Sequence, residues 1–140
     1  MKQYTQKAFD AFKVVNGYRQ CPTGDYTLIS IFGNDCIFGN NCSFGNNCIF
    51  GFNTKVESTY ELISTSYPLL QISGAGSRQG STQMWNTSRG IIVRTGCFLG
   101  TIAEFRKAVK ATHAGTAHEL TYLGFANIAC VQFNRNAEIE

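Results

Sequence analysis

The sequence predicts a mainly β protein with a C-terminal α region: a short parallel β-helix, a β-rich insertion and a C-terminal helical hairpin, all within one domain. Three observations carry that prediction. From Phe32 to Gly51 the chain repeats Phe-Gly-Asn-Asn-Cys-x every six residues, with Asp35 for the second Asn in the first copy. A fixed short period marks a solenoid, in which each unit buries its apolar face only against its neighbours. Residues 62–96 break into short apolar runs separated by Gly, Ser and Asn, the pattern of strands and loops. Beyond Gly100 the apolar period lengthens to that of an amphipathic helix.

Residues 1–25 lead into the repeat. Asn16-Gly17 stands between Val14-Val15 and Tyr18-Arg19, and Asn-Gly between β-prone pairs is the strongest short hairpin signal. Pro22 and Gly24 then break the chain. The large apolar position of the repeat runs in register through Tyr26, Phe32, Phe38, Phe44, Phe50 and Val56. The small position four residues later runs through Ser30, Cys36, Cys42, Cys48 and Thr54. Six units therefore span 26–61. Their Asn pairs suit tight corners, because Asn tolerates positive φ better than most residues.

This pattern resembles the hexapeptide repeat of left-handed parallel β-helices, with Phe standing where that family commonly has Ile, Leu or Val. The resemblance implies three units per triangular turn and about two coils here. Residues 18 apart then stack: Phe32 under Phe50, Tyr26 under Phe44, Phe38 under Val56. Each buried Phe contributes roughly 1.5–3 kcal/mol. Both ends of so short a prism stay open, and flanking segments or other subunits must cover them.

In 62–96, Tyr67–Ile72, Gln83–Asn86 and Gly90–Arg94 read as strands, and Gly74–Thr82 as a small polar loop. Thr101-Ile102-Ala103-Glu104 matches a helix capping box. Ile102, Phe105, Ala108, Val109 and Thr112 follow on one face, and Gly115 stops the helix. Thr116-Ala117-His118-Glu119 reads as a second capping box, with Leu120, Leu123, Ala126, Cys130 and Phe133 as its apolar stripe. The two helices make an αα-hairpin over 97–134 that caps the solenoid or dimerises. Residues 135–140 form a tail.

Composition narrows the function. The net charge is +3 with no run of Lys or Arg, so no duplex nucleic acid is expected as a partner. No apolar run reaches membrane-spanning length and no basic-then-apolar leader is visible, so the expected location is cytoplasmic, with no membrane partner. The six cysteines lack CxxC pairs, and three recur at one repeat position. They read as reduced core thiols, with neither a metal nor a cofactor expected.

Candidate binding residues cluster after the repeat. The Gly74–Thr82 loop offers Gly74, Gly76 and Ser77 as a backbone cradle for an anion, with Arg78 beside it. It lacks the spacing of a Walker A loop or a dinucleotide fingerprint, and its other reading is a surface loop. Trp85, Arg89 and Arg94 add one stacking surface and two guanidiniums, or a core Trp with scattered surface Arg. Phe52 takes an ordinarily polar corner position and points outward, toward the next segment, a subunit interface or a ligand. Cys97 precedes a helix N-terminus, which activates a thiol, or is a buried cap residue. His113 and His118, the two histidines, lie at the turn between the predicted helices. They read as a general base or as groups favoured by a helix terminus. No catalytic residue is assigned.

Cys42-Ser43-Phe44-Gly45 and the stretch Arg94–Thr101, running on to Glu104-Phe105 and Thr112-His113, resemble small bacteriophage-encoded hexapeptide-repeat proteins. That resemblance implies a phage accessory protein in the host cytoplasm. The wider superfamily implies a homo-oligomer, a trimer above all, with ligands between subunits. The expected function is non-enzymatic: binding or sequestering a small anionic, nucleotide-type ligand to counter host defence. The alternatives are a hexapeptide-type acyltransferase using His113 or His118, and a protein-binding inhibitor or virion component.

Overall fold

In the computed structural model, which describes residues 1–46, 48–63, 67–76 and 80–140, the chain divides into two compact units, Met1–Pro68 and Leu69–Glu140.

The first unit is built around aromatic rings. Helix α1 (Gln6–Asp10) is capped by Thr5, whose Oγ1 accepts from the Ala8 N–H at 3.2 Å. Strands β1 (Val14–Val15) and β2 (Tyr18–Cys21) pair antiparallel about Asn16-Gly17. Both turn residues have positive φ, 51° and 82°, as a two-residue turn of the right hand demands. Strands β3 (Cys36–Phe38) and β4 (Lys55–Val56) add on in parallel, and β5 (Tyr60–Glu61) returns antiparallel.

This corrects the expectation of a parallel β-helix. The first unit is a five-stranded mixed sheet in the order β1-β2-β3-β4-β5, with antiparallel hairpins at both edges. Among the described residues, 26–61 holds no continuous stack of parallel coils. Outside the named strands, the parallel pairings are isolated bridges, Gln3 with Asp25, Asp25 with Ser43 and Ile31 with Ile49. The reason is the short run left between corners. Asp35, Asn41 and Asn53 sit at φ near +58°, each at the same place in its unit, and only two or three extended residues fit between corners.

The rings nonetheless stack at the spacing of the repeat. Tyr26 lies on Phe44 (centroids 5.8 Å, 18° between planes) and Phe32 on Phe50 (5.2 Å, 16°). Phe38 meets Tyr26, Phe32, Phe44 and Phe50 edge to face at 5.1–5.9 Å. One end of the stack is closed by Tyr4 on Tyr26 and Phe9 on Phe32. The small position is occupied as expected except at its start. Ser30 is exposed and Ile29 turns inward instead, since the first unit closes a tight turn from Ile29 N–H to the Tyr26 carbonyl, 3.0 Å.

The second unit is an antiparallel meander with two helices. Strands β6 (Leu69–Ser73), β7 (Ser81–Thr87), β8 (Gly90–Thr95) and β9 (Phe98–Thr101) pair in chain order. The expected β-rich insertion is therefore the sheet of a second unit. β9 falls where the sequence reading placed a helix approach. Met84, Ile91 and Val93 from one sheet face pack with Ile102, Phe105 and Val109 of α2 (Ile102–His113) and Phe125, Ala126, Ala129 and Cys130 of α3 (Ala117–Gln132).

The capping box at α2 is complete: Thr101 Oγ1 accepts from Glu104 N–H at 3.2 Å, and Glu104 Oε1 from Thr101 N–H at 2.9 Å. The second box does not form. Thr116 Oγ1 donates instead to the His113 carbonyl at 2.7 Å. The stripe of α3 is also turned from the expected one. Tyr122, Phe125, Ala126, Ala129, Cys130 and Phe133 are buried, while Leu120 is 74% exposed.

Two predictions follow from the repeat. A Cβ on Gly51 would collide with the Gly33 backbone, whereas a Cβ on Gly33 meets nothing within 4 Å. Gly51→Ala should therefore destabilise the chain by about 1–3 kcal/mol and Gly33→Ala hardly at all; equal urea midpoints for the two variants would refute this packing. The other concerns Cys42, whose thiol donates to the Gly39 carbonyl at 3.2 Å. Burial pushes it from an ordinary 9.0 up to about 11, so folding favours the protonated form. Its contribution is complete below pH 9 and is lost as pH rises from 9 towards 11, on the order of 2 kcal/mol. Cys42→Thr, which keeps a donor that does not ionise there, should flatten the fall in urea midpoint between pH of about 8 and about 10.5; an unchanged slope would exclude Cys42 as its source.

Candidate functional site

A cavity of about 280 Å³ opens in the second unit. Thr95, Cys97 and Phe98 come to it from the β8–β9 hairpin, Phe105, Ala108, Val109, Thr112 and His113 from one face of α2, and Tyr122 from α3. The α2 residues recur three and four apart, so one helix face presents both apolar wall and polar rim. The wall is Phe98, Phe105 and Val109. Phe98 and Phe105 lie 5.7 Å apart between centroids, and Phe105 meets Tyr122 edge to face at 6.0 Å.

His113 ends α2 and is half-buried. Its ring lies 5.4 Å from Tyr122 and 5.7 Å from His118, which is exposed. The turn that holds it is fixed by the Thr116 N–H and hydroxyl, both donating to the His113 carbonyl at 3.0 and 2.7 Å. Cys97 is exposed and its thiol is free. The cavity thus combines an aromatic and aliphatic wall with an imidazole, a phenol, two threonine hydroxyls and a thiol. Such a set holds a small ring and orients it by a few hydrogen bonds.

The residues expected from sequence fall in separate places. Ser77 and Arg78 lie outside the described residues. Gly74 (φ 71°) and Gly76 (φ 84°) belong to the β6–β7 connection, where Gly74 N–H donates to the Gly80 carbonyl at 3.1 Å. A Cβ on Gly76 would collide with the ring and hydroxyl of Tyr122, so Gly76 reaches the cavity's edge through that residue. Trp85 is 1% exposed, paired across the sheet with Leu69 and Ile92, and its ring is an interior group rather than an open stacking surface. Arg94 lies on the same sheet face, opposite Gln83 and Leu99. Arg89 is exposed in the β7–β8 turn, at the far end of β8 from Arg94, about 16 Å along the strand. Phe52 belongs to the first unit and is 67% exposed. Trp85 is thus interior, Arg89 stands in a turn and Arg94 is near the other end of β8.

Tyr122 and Phe98 were not singled out from sequence. The available signal was the alternative helical stripe of α3 that starts at Tyr122. Arg106 was missed too, although it stands inside the apolar stripe of α2, four residues after Ile102 and three before Val109. A second concavity, about 630 Å³ in the first unit, is lined by Phe12, Cys21, Pro22 and Ile37 with Gln20 and Ser58 as its polar side chains; it carries no acid, base or cation.

Among the described residues no group of three or more His, Cys, Asp or Glu is placed to hold a metal ion, and no helix is long and apolar enough to cross a membrane. No protein-family model matches the chain, and no curated protein or solved structure shows significant similarity to it.

Proposed function

We propose that the protein is a non-enzymatic binding protein that sequesters a small molecule, with the second-unit cavity as the seat of its ring. One observation carries the reading: the apolar walls of Phe98, Phe105 and Val109 converge with Thr112, His113 and Tyr122 in a single cavity. A volume near 280 Å³ stands at the small end of ligand sites and suits one heterocycle rather than a whole dinucleotide. A nucleotide-type signalling molecule of host defence enters this reading with its base in the cavity and its phosphates outside. Assembly of the protein as a homo-oligomer belongs to the same proposal. Native mass spectrometry of the protein purified from expressing cells reports both. The expected result is a retained small molecule that disappears in Ala108→Phe, a variant that fills the cavity from its half-exposed edge. A ligand-free spectrum that stays so when nucleotides and nucleobases are added would refute the reading.

A second reading, the acyltransferase, is favoured by the position of His113 on the cavity wall. It requires transfer of an acetyl group from acetyl-CoA to an acceptor amine or hydroxyl, with His113 taking the acceptor's proton. The expected outcome is a loss of about 10²-fold or more in turnover in His113→Ala. Absence of CoA binding to the unchanged protein removes this reading.

A further inference from the structure

Arg106 is the feature of the second unit that the cavity does not use. It projects from α2 on the side of α3, is 5% exposed, and sits on the stripe formed by Ile102, Phe105 and Val109. Its Nη2 donates to Asn127 Oδ1 at 2.8 Å and approaches the Cys130 sulfur at 3.7 Å. Its Nε–H has no hydrogen-bond partner. The carboxylate facing it, Glu140 Oε2, stands 3.8 Å away, an ion pair beyond hydrogen-bond reach. A buried guanidinium with an unmet N–H is costly unless something else completes it.

The group facing Arg106 is a strap of the chain's own residues. Lys110, one turn along α2, donates from Nζ to Glu140 Oε1 at 2.5 Å. Asn127 grips the Glu140 backbone both ways, accepting from its N–H at 3.2 Å and donating to its carbonyl at 3.0 Å. The strap is anchored upstream: Arg135 donates from Nε to Asn86 Oδ1 and from Nη2 to the Thr87 carbonyl, each at 3.0 Å. Between the anchor and Glu140 lies one short 3₁₀ turn, Asn136–Glu138, with no buried residue.

We propose that Arg106, Lys110 and Asn127 form a binding site for a phosphate monoester, which Glu140 occupies in its place. Charge decides the class of ligand. Two cations, Arg106 and Lys110, face the side-chain carboxylate of Glu140, and a phosphate monoester carries close to two charges near neutral pH. Geometry agrees. The Nε and Nη2 edge of a guanidinium offers two parallel N–H groups to one oxyanion, and here Nε–H is unmet while Nη2 is shared between Asn127 Oδ1 and the soft Cys130 sulfur. Phosphate oxygens at that edge, with a third facing Lys110, satisfy what the Glu140 carboxylate leaves open. The Asn127 amide, freed from the Glu140 backbone, supplies a neutral donor beside them. Glu140 is more than half exposed, so the strap leaves at little cost in buried surface. The site is distinct from the cavity, which lies against the Phe105, Ala108 and Thr112 side of α2.

The test is a titration with inorganic phosphate, phenyl phosphate and acetate, followed by amide chemical shifts in the full chain. Removing the competing charge by Glu140→Gln should tighten phosphate binding about fivefold over the unchanged protein, with acetate weaker than either phosphate. Arg106→Gln added to Glu140→Gln should abolish binding. If that variant does not fold, Lys110→Gln at its exposed helix position should weaken binding instead. Phosphate affinity indifferent to Glu140→Gln, or retained in the folded Arg106 variant, would overturn the site. Acetate binding as tightly as phosphate would overturn the ligand class. Ala108→Phe, which fills the cavity, should leave the titration unchanged, so this site and the cavity fail or stand separately.

Discussion

The first unit depends on one interaction: aromatic rings interlocked at the six-residue spacing of the repeat. Successive rings of the stack meet edge to face and rings 18 residues apart lie face to face. Both geometries are favourable, because the negative face of one ring meets the positive edge of the next or is offset from its neighbour. Each pair adds about 0.5–1.5 kcal/mol beyond its buried area. A ring is also wide and stiff. It fixes how far each corner must stand from the centre, and the backbone then has room for only a few extended residues per side. Short strands, with isolated bridges outside them, follow from that width.

The corners explain the rest of the repeat. At each one a small side chain donates to the glycine carbonyl three residues before it: Cys36 to Gly33 at 3.5 Å, Cys42 to Gly39 at 3.2 Å, Cys48 to Gly45 at 2.9 Å and Thr54 to Gly51 at 2.8 Å. The cysteines are therefore more than small apolar filler. Each is compact enough to stand beside the rings, tolerates burial as a weak polar group, and still supplies one proton to the glycine carbonyl. Burial holds Cys42 and Cys48 protonated, which is the state that donates. Threonine in the fourth corner shows that the donor, not the sulfur, is what the position requires. The side-chain ladder outside the corners repeats the theme, with Asn53 donating to Asp35 at 2.7 Å and Ser58 to Asn40 at 3.0 Å, each 18 residues on.

How much of this was legible in the sequence depended on whether a residue's role was local. The Asn16-Gly17 hairpin, the left-handed Asn corners and the Thr101 capping box are decided within a few residues, and each could be read directly. The inward Phe positions were legible because the period repeats them. The sheet was not, because pairing in the first unit is settled by ring width against corner spacing, and the six-residue pattern alone is compatible with a coil of parallel strands. The strand Phe98–Thr101 is set by its partners Ile92–Thr95 across the hairpin, a long-range fact with little local signature. On α3 both Leu120 and Tyr122 begin plausible apolar stripes, and packing against α2 and the sheet selects the second. The site residues divide in the same way. Trp85, Arg89 and Arg94 are close in sequence, but the meander buries Trp85 between strands and sets Arg89 in the β7–β8 turn, at the far end of β8 from Arg94.

The two units differ in how they use their polar groups. In the first, hydroxyls, thiols and amides are turned back on the backbone at the corners, and the chemistry is spent on holding the rings. In the second, α2 presents different chemistry on two sides. Phe105, Val109, Thr112 and His113 face the cavity, while Arg106 and Lys110 face Asn127 and Glu140. The capping box at its N-terminus and the Thr116 turn at its C-terminus fix the helix at both ends, so neither side is free to adjust by fraying. A buried arginine in an apolar stripe is then the least expected residue of the chain. Packing would be served as well by leucine there. That an arginine stands in its place, with its side-on edge incompletely met, makes Arg106 the position in the second unit where the demands of the core and the chemistry of the chain diverge most.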